Sequence, residues 1–110
     1  MIMPWTIEYY SEEVRLEIDA LPVGIRASYA RLTTLLEEFG LDLRMPHSRA
    51  MGGGLFELRP KGREGIARVF YCMKVERKIL MLHSFIKKTN ETPRRDLDLA
   101  RQRQKEVTAP

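Results

Sequence analysis

The spacing of apolar residues changes midway along the chain, and this change constrains the fold more than any other feature. Between residues 14 and 39, apolar residues recur every three or four positions, as on one face of a helix. Between residues 55 and 86, short strand-like runs are separated by polar turns. The chain must therefore combine helices with a sheet, and we predict an α+β fold.

Two amphipathic helices are predicted in the first forty residues, after a short strand over residues 5–9. Ser11 is placed to cap the first helix, and Gly40 to end the second. The apolar stripes are Val14, Ile18 and Leu21 in the first helix and Ile25, Tyr29, Leu32, Leu36 and Phe39 in the second. Pro22 and Gly24 join the two helices into a hairpin, which needs an apolar surface to cover.

Three strands and a third helix are predicted in the rest of the chain. The strands cover residues 55–59, 66–73 and 78–86. Their connections are short and polar, as antiparallel hairpins require. The preceding segment, residues 41–54, has no sustained period and is predicted to be a loop or mobile flap. Thr92 is expected to cap a charged helix over residues 94–106, with Pro93 at its first position.

The predicted element order is β-α-α-β-β-β-α in a single domain covering residues 1–110. The sheet is expected to be mainly antiparallel, with the helical hairpin on one face and the other face open. Cys72 is the single cysteine, which excludes an internal disulfide, and we expect a buried, inert thiol. We see no targeting segment and no apolar run long enough to cross a membrane, and we therefore expect a cytoplasmic protein.

Basic residues are concentrated in the second half of the chain. Residues 1–55 carry 5 basic and 8 acidic residues, whereas residues 56–110 carry 14 and 7. Arginine outnumbers lysine 13 to 6, and the guanidinium group suits bidentate phosphate contacts. This distribution favours a second half that binds a polyanion such as nucleic acid, although a basic excess can also serve solubility alone.

Side-chain alternation along the predicted strands places charged residues opposite the face that the helices cover. The residues predicted on the open face are Glu57, Arg59 and Arg68, joined by Lys61 in a hairpin and by Lys87 and Lys88 after the last strand. Five cations on one concave face would form a floor for phosphate groups. The alternative is a solvated face whose charges prevent aggregation of sheet edges.

The two histidines leave their roles open. By alternation, His83 shares a strand face with Ile79, Met81 and Phe85, which fits a core histidine bonded to the backbone as well as a reactive one. His47 lies in the predicted loop, where it either contacts RNA or is simply exposed. Their spacing matches no metal motif, and we expect no metal and no cofactor.

Four sequence blocks in the second half occur together and in order. They are Gly54-Leu55-Phe56-Glu57-Leu58-Arg59, Arg68-Val69-Phe70-Tyr71, Leu82-His83-Ser84-Phe85-Ile86-Lys87-Lys88-Thr89 and Thr92-Pro93. This ordered set resembles the RelE/HigB toxin superfamily and, more narrowly, its phage-derived HigB-like branch. The resemblance implies a RelE-like fold and a metal-free endoribonuclease (an mRNA interferase) that inhibits translation by cutting mRNA on the ribosome. It also implies a cognate antitoxin as partner, often a HigA-like protein with a helix-turn-helix.

In that family's chemistry, the ribose 2′-OH attacks the adjacent phosphate and expels the 5′-oxygen. The resemblance implies that Arg68 faces the scissile phosphate, with Lys88 or its neighbour Lys87 as a second basic group and Arg59 as a further cation. The further candidates for RNA contacts are Lys61, Arg63, Arg94, Arg95 and His47. Some members use a tyrosine or histidine near the C-terminus as acid or base, yet neither follows His83 here. His83, His47 or a lysine would have to take that role.

Two other functions remain open. The related ParE branch shares the scaffold but inhibits DNA gyrase without being an enzyme, and Arg59, Arg68 and Lys88 favour the ribonuclease over it. The second of these functions is that of a basic nucleic-acid-binding module without toxicity. It lacks the exposed aromatic residues on which unpaired bases would stack.

Overall fold

The computed structural model describes residues 3–108 and confirms the α+β prediction. The elements in chain order are β1 (Thr6–Tyr9), α1 (Glu12–Asp19), α2 (Val23–Phe39), a 3-10 turn (Gly40–Asp42), β2 (Ser48–Gly52), β3 (Leu55–Leu58), β4 (Lys61–Gly62), β5 (Gly65–Lys74), β6 (Lys78–Lys87) and α3 (Arg94–Thr108). Within these residues, no helix has both the length and the apolar character that crossing a bilayer requires.

The strands form one mainly antiparallel sheet, as predicted. Their order is β1-β6-β5-β3-β2, and β4 pairs with the start of β5. β1 runs parallel to β6, whereas the other strand pairs are antiparallel. Long β5 and β6 thus form the centre of the sheet, and β3 and β2 extend it on one side.

The segment over residues 41–54 is not the loop that was predicted, because it contains β2. This strand pairs with β3 and places Arg49 directly opposite Glu57. It has no apolar alternation: its buried residue is Ser48, whose hydroxyl is hydrogen-bonded to the Tyr71 hydroxyl at 2.5 Å. The predicted element order also lacks β4, which has only two residues and lies within the predicted hairpin connection. Both strands are held by backbone pairing rather than by an apolar pattern.

The helical hairpin covers one face of the sheet. The Ser11 side chain accepts a hydrogen bond from the Val14 amide at 3.2 Å, which confirms the predicted cap of α1. The predicted stripes pack on sheet residues Leu58, Ala67, Val69, Tyr71, Ile79 and Met81. Phe39 is the exception at 45% exposure, because the adjacent Gly40 takes the buried place against the Trp5 ring. A side chain at Gly40 would overlap that ring, and its φ of +51° also favours glycine.

The second face of the sheet is not open over its whole length, contrary to the prediction. α3 packs on it through Ala100 and Leu97, and the sheet residues beneath are Leu55, Phe70, Cys72, Leu80 and Leu82. Arg101 donates hydrogen bonds to the carbonyls of Met51 and Gly52 at 2.8 and 2.7 Å. These apolar contacts and backbone bonds fold the charged helix back onto the sheet, leaving only one end of this face uncovered.

α3 begins at Arg94 as predicted, but its predicted cap was wrong. The helix begins at Arg94, so Pro93 precedes it and Thr92 is not its cap. The Thr92 hydroxyl instead donates to Oε2 of Glu57 at 3.1 Å. A buried carboxylate is a stronger acceptor than a neutral group, which explains why the Thr92 hydroxyl bonds to Glu57 and does not cap α3.

A bulge in β6 decides which face His83 occupies. Phe70 pairs with His83 but Tyr71 pairs with Met81, so Leu82 is an extra residue in β6. The extra residue reverses the alternation, and His83 lies on the α3 face, opposite to Met81. The prediction that His83 shares a face with Ile79 and Met81 was therefore wrong.

Candidate functional site

A buried carboxylate lies at the end of the sheet face that α3 leaves uncovered. Glu57, in β3, is fully buried. Its Oε1 accepts a hydrogen bond from Nη1 of Arg59 at 2.8 Å and lies 3.5 Å from Nε of Arg68. Its Oε2 accepts the bond from Thr92. One carboxylate thus links two arginines and the segment before α3.

Strand register explains why cations from distant parts of the sequence surround this carboxylate. Arg49 lies directly opposite Glu57, and residues in such pairs project to the same face. Arg68 in β5 pairs with Phe85, and Lys87 follows two positions later on the same face of β6. We call Arg49, Arg59, Arg68 and Lys87 the cationic cluster.

The cationic cluster changes the acidity of its members. Desolvation lowers the pKa of Lys87, and the nearby charges of Arg68 and Arg59 lower it further. Desolvation also lowers the pKa of Arg68, with a further contribution from Arg59, whereas the Glu57 carboxylate opposes both changes. Arg68 is 4% exposed, and the Arg59 side chain is 20% exposed. A lysine with a lowered pKa has more of the neutral amine that accepts a proton.

A cavity of about 730 Å³ opens beside the cluster, between α2, residues 45–47 and the segment joining β3 to β5. Its apolar lining consists of Leu32, Leu35, Met45, Pro46 and Ile66. Its cations and histidine are Arg31, Arg59, Lys61, Arg68 and His47. Ser28 and Thr34 complete the lining, and none of the described residues that line it is acidic. Two members of the cationic cluster, Arg59 and Arg68, therefore belong to the cavity as well.

The cations predicted from the sequence lie in separate places. Arg59, Arg68 and Lys87 belong to the cationic cluster, and Lys61 and His47 line the cavity. Lys88, Arg94 and Arg95 line a second depression at the start of α3, together with Asp96. Arg63 is exposed in the turn between β4 and β5 and lines neither.

His83 lies between β6 and α3 rather than in the cationic cluster. Its Nε2 is 2.6 Å from Oδ1 of Asp96, and both side chains are nearly buried at 12% and 13% exposure. Its Nδ1 is buried and has no hydrogen-bond partner in the described part of the chain. The pair ties the first turn of α3 to the sheet. Across residues 3–108, no group of three or more His, Cys, Asp or Glu side chains could hold a metal ion.

Three residues of this region were not predicted from the sequence as parts of a site. Arg49 was missed because β2 was not predicted, although the glycines at residues 52–54 are a hairpin signal that could have revealed it. Glu57 was placed on the correct face but given no role, since its contacts depend on β5 and on Thr92. Arg31 is an exposed residue of α2, and nothing in the sequence sets it apart.

Comparison with known proteins assigns the chain to a family. No curated protein is significantly similar to it. Residues 16–105 match the family described as Phage derived protein Gp49-like (DUF891). The match runs from within α1 to within α3 and includes the whole cationic cluster. The chain therefore belongs to the phage-derived Gp49-like family, a family of RelE/HigB-type toxins.

Proposed function

We propose that this protein is the toxin of a type II toxin–antitoxin pair and cuts messenger RNA on the ribosome, as a HigB-like endoribonuclease. The observation that carries the proposal is the cationic cluster, in which four cations from separate sheet segments meet around Glu57. Such a cluster can bind RNA phosphates and stabilise the added negative charge of a pentavalent phosphorus transition state. Membership of a toxin family supports the toxin role and an antitoxin partner.

In the proposed reaction, Arg68 and Arg59 contact the scissile phosphate. Their contacts with Glu57 hold both guanidinium groups in place before the RNA arrives, which lowers the reorganisation needed in the transition state. Glu57 is thus a positioning residue. The Thr92 contact extends this support to the segment that joins β6 to α3.

Lys87 is our candidate for the general base. Its lowered pKa favours the neutral amine, which accepts the proton of the ribose 2′-OH. The 2′-oxygen then bonds to the adjacent phosphorus, the bond from phosphorus to the 5′-oxygen breaks, and a proton passes to that oxygen. The products are a 2′,3′-cyclic phosphate and a free 5′-OH. His83 could reach RNA only if α3 moved, because its Nε2 is bonded to Asp96 and its Nδ1 is buried.

The other cations are proposed to bind RNA away from the reacting phosphate. Lys88, Arg94 and Arg95 form one such group in the depression at the start of α3, and Arg63 is free to contact RNA from its exposed turn. The proposed partners are the ribosome with its mRNA and a cognate, HigA-like antitoxin. This function places the protein in the cytoplasm.

Induced expression of the wild-type protein without its partner tests the proposal. We expect growth arrest and cuts in translated mRNA that require ribosomes. Arg68→Ala should fold but reduce the cleavage rate at least about 100-fold, since it removes a donor to the transition state. Arg15→Ala is the matched control, because Arg15 is an exposed arginine whose ion pairs stay within α1.

Two outcomes would contradict the proposal. Full activity of a folded Arg68→Ala variant would remove Arg68 from the site, and circular dichroism reports folding independently of activity. Growth arrest with intact transcripts and accumulated DNA breaks would instead identify a ParE-like inhibitor of gyrase.

A further inference from the structure

We propose that the cavity between α2 and the β3–β5 segment binds the base of an RNA nucleotide next to the scissile phosphate. The identity of the ligand as single-stranded RNA rests on the proposed function. The position of the base rests on the cavity itself. This subsite would bind a base, whereas the cationic cluster binds phosphate groups.

The lining of the cavity combines two properties that a nucleotide requires. Its apolar residues come from α2, from residues 45–47 and from β5, and they can contact the flat face of a base. The arginines and the lysine at its border can contact the phosphates on either side, and arginine and histidine planes can stack on a base. Because none of the described lining residues is acidic, nothing there would repel a polyanion.

Continuity with the cationic cluster favours RNA over an unrelated ligand. Arg59 and Arg68 take part in both sites. A strand whose phosphate lies against these arginines must place a neighbouring nucleotide within reach of the cavity. The cavity volume of about 730 Å³ lies within the range of small-ligand sites and leaves room for a purine or a pyrimidine.

The polar groups of the cavity indicate how the base is bound. The Ser28 hydroxyl accepts a hydrogen bond from the Lys61 amide at 3.1 Å. The Thr34 hydroxyl donates to the Ala30 carbonyl at 3.2 Å. Each of these hydroxyls makes one hydrogen bond within the protein, so we expect binding to depend mainly on stacking and apolar contact. Such contacts accept several bases, so we expect weak discrimination between them.

The experiment measures binding of a six-nucleotide RNA of mixed sequence that cannot be cleaved because every ribose is 2′-O-methylated. Each position is replaced in turn by an abasic nucleotide, which keeps the phosphates but removes the base. We expect one position at which base removal weakens binding to the wild-type protein about 10-fold. The other positions should change binding much less.

Thr34→Trp places a large ring against the lining of the cavity and leaves all its cations in place. We expect this variant to bind the intact RNA about 10-fold more weakly and to lose its sensitivity to the abasic nucleotide, because the two changes remove the same contact. Thr33→Trp is the matched control, since the Thr33 hydroxyl also donates to the Ala30 carbonyl but Thr33 does not line the cavity. It should bind like the wild type.

Three outcomes would overturn the subsite. They are an abasic series with no sensitive position, a folded Thr34→Trp variant that binds RNA like the wild type, and no measurable binding of the RNA. If Thr34→Trp keeps its RNA affinity but escapes the antitoxin, the cavity binds a protein segment instead. Should either tryptophan variant fail to fold, the abasic series on the wild-type protein still decides.

Failure of the nuclease proposal can be distinguished from failure of the base subsite. Binding is measured without ribosomes and on an RNA that cannot be cut. A sensitive abasic position in a protein that never cleaves mRNA would support the base subsite and refute the nuclease. Ribosome-dependent cleavage, together with an abasic series that has no sensitive position, would support the nuclease and refute the base subsite.

Discussion

Replacing Glu57 with glutamine tests whether the carboxylate organises the cationic cluster. The substitution keeps the side-chain shape and removes one negative charge. Oε1 contacts Arg59 at 2.8 Å and Arg68 at 3.5 Å, and Arg68 is only 4% exposed. A glutamine cannot neutralise the buried guanidinium, and its amide group would turn N–H donors towards other donors.

The expected loss follows from the burial of the two arginines. Removing one partner of a buried ion pair costs about 3–5 kcal/mol, because the other charge is left uncompensated. The Arg59 side chain, at 20% exposure, regains hydration more easily than Arg68, so we expect the lower end, about 3 kcal/mol. For a chain of 110 residues, the entropy of unfolding converts this loss to a decrease in Tm of about 13 °C.

Urea unfolding followed by circular dichroism measures this change. Glu12→Gln is the matched control, because it neutralises an exposed glutamate paired with Arg15, and we expect it to leave the urea midpoint nearly unchanged. Combining Glu57→Gln with Arg68→Met should recover part of the stability, since the uncompensated charge is then absent. A loss below about 1 kcal/mol for Glu57→Gln would refute the reasoning, because it would mean that Arg68 is hydrated without its partner.

Two further predictions follow from the pKa changes. Because the pKa of Lys87 is lowered, the single-turnover cleavage rate should rise with pH up to that pKa and then level off. Lys87→Arg should abolish this rise. An unchanged pH profile in this variant would exclude Lys87 as the base. Burial raises the pKa of the Cys72 thiol, so a thiol reagent should label the native protein slowly and the urea-unfolded protein rapidly. Rapid labelling of the native protein would show that the sheet beneath α3 is accessible.

Local patterns predicted those parts of the fold whose cause is local. The Ser11 cap, the end of α2 at Gly40 and its stripe apart from the exposed Phe39 depend on residues within one or two helical turns, and the structure confirms them. The central strands were predicted because they are long and rich in apolar residues. Alternation also placed Glu57 and Arg68 together on the face opposite the helical hairpin, since both lie in regular strands.

The features that were missed depend on contacts between distant residues. β2 exists because its backbone pairs with β3, and the bulge at Leu82 appears only in the register between β5 and β6. These pairings added Arg49 to the cationic cluster and moved His83 to the other face. The glycines at residues 52–54 are the one local signal for β2, whereas no local pattern encodes the position of His83, because a single extra residue reverses every later side chain.

The sequence by itself determined an α+β chain with a basic second half and with Arg68 opposite the helical hairpin. Only the tertiary structure decided that α3 covers part of that face, that Glu57 is buried between two arginines, and that the predicted cations divide among separate sites. The physical reason is that the charge and the apolar periodicity of a segment depend only on its own residues. The position of a side chain relative to another strand or helix is set by backbone pairing and packing across the whole domain.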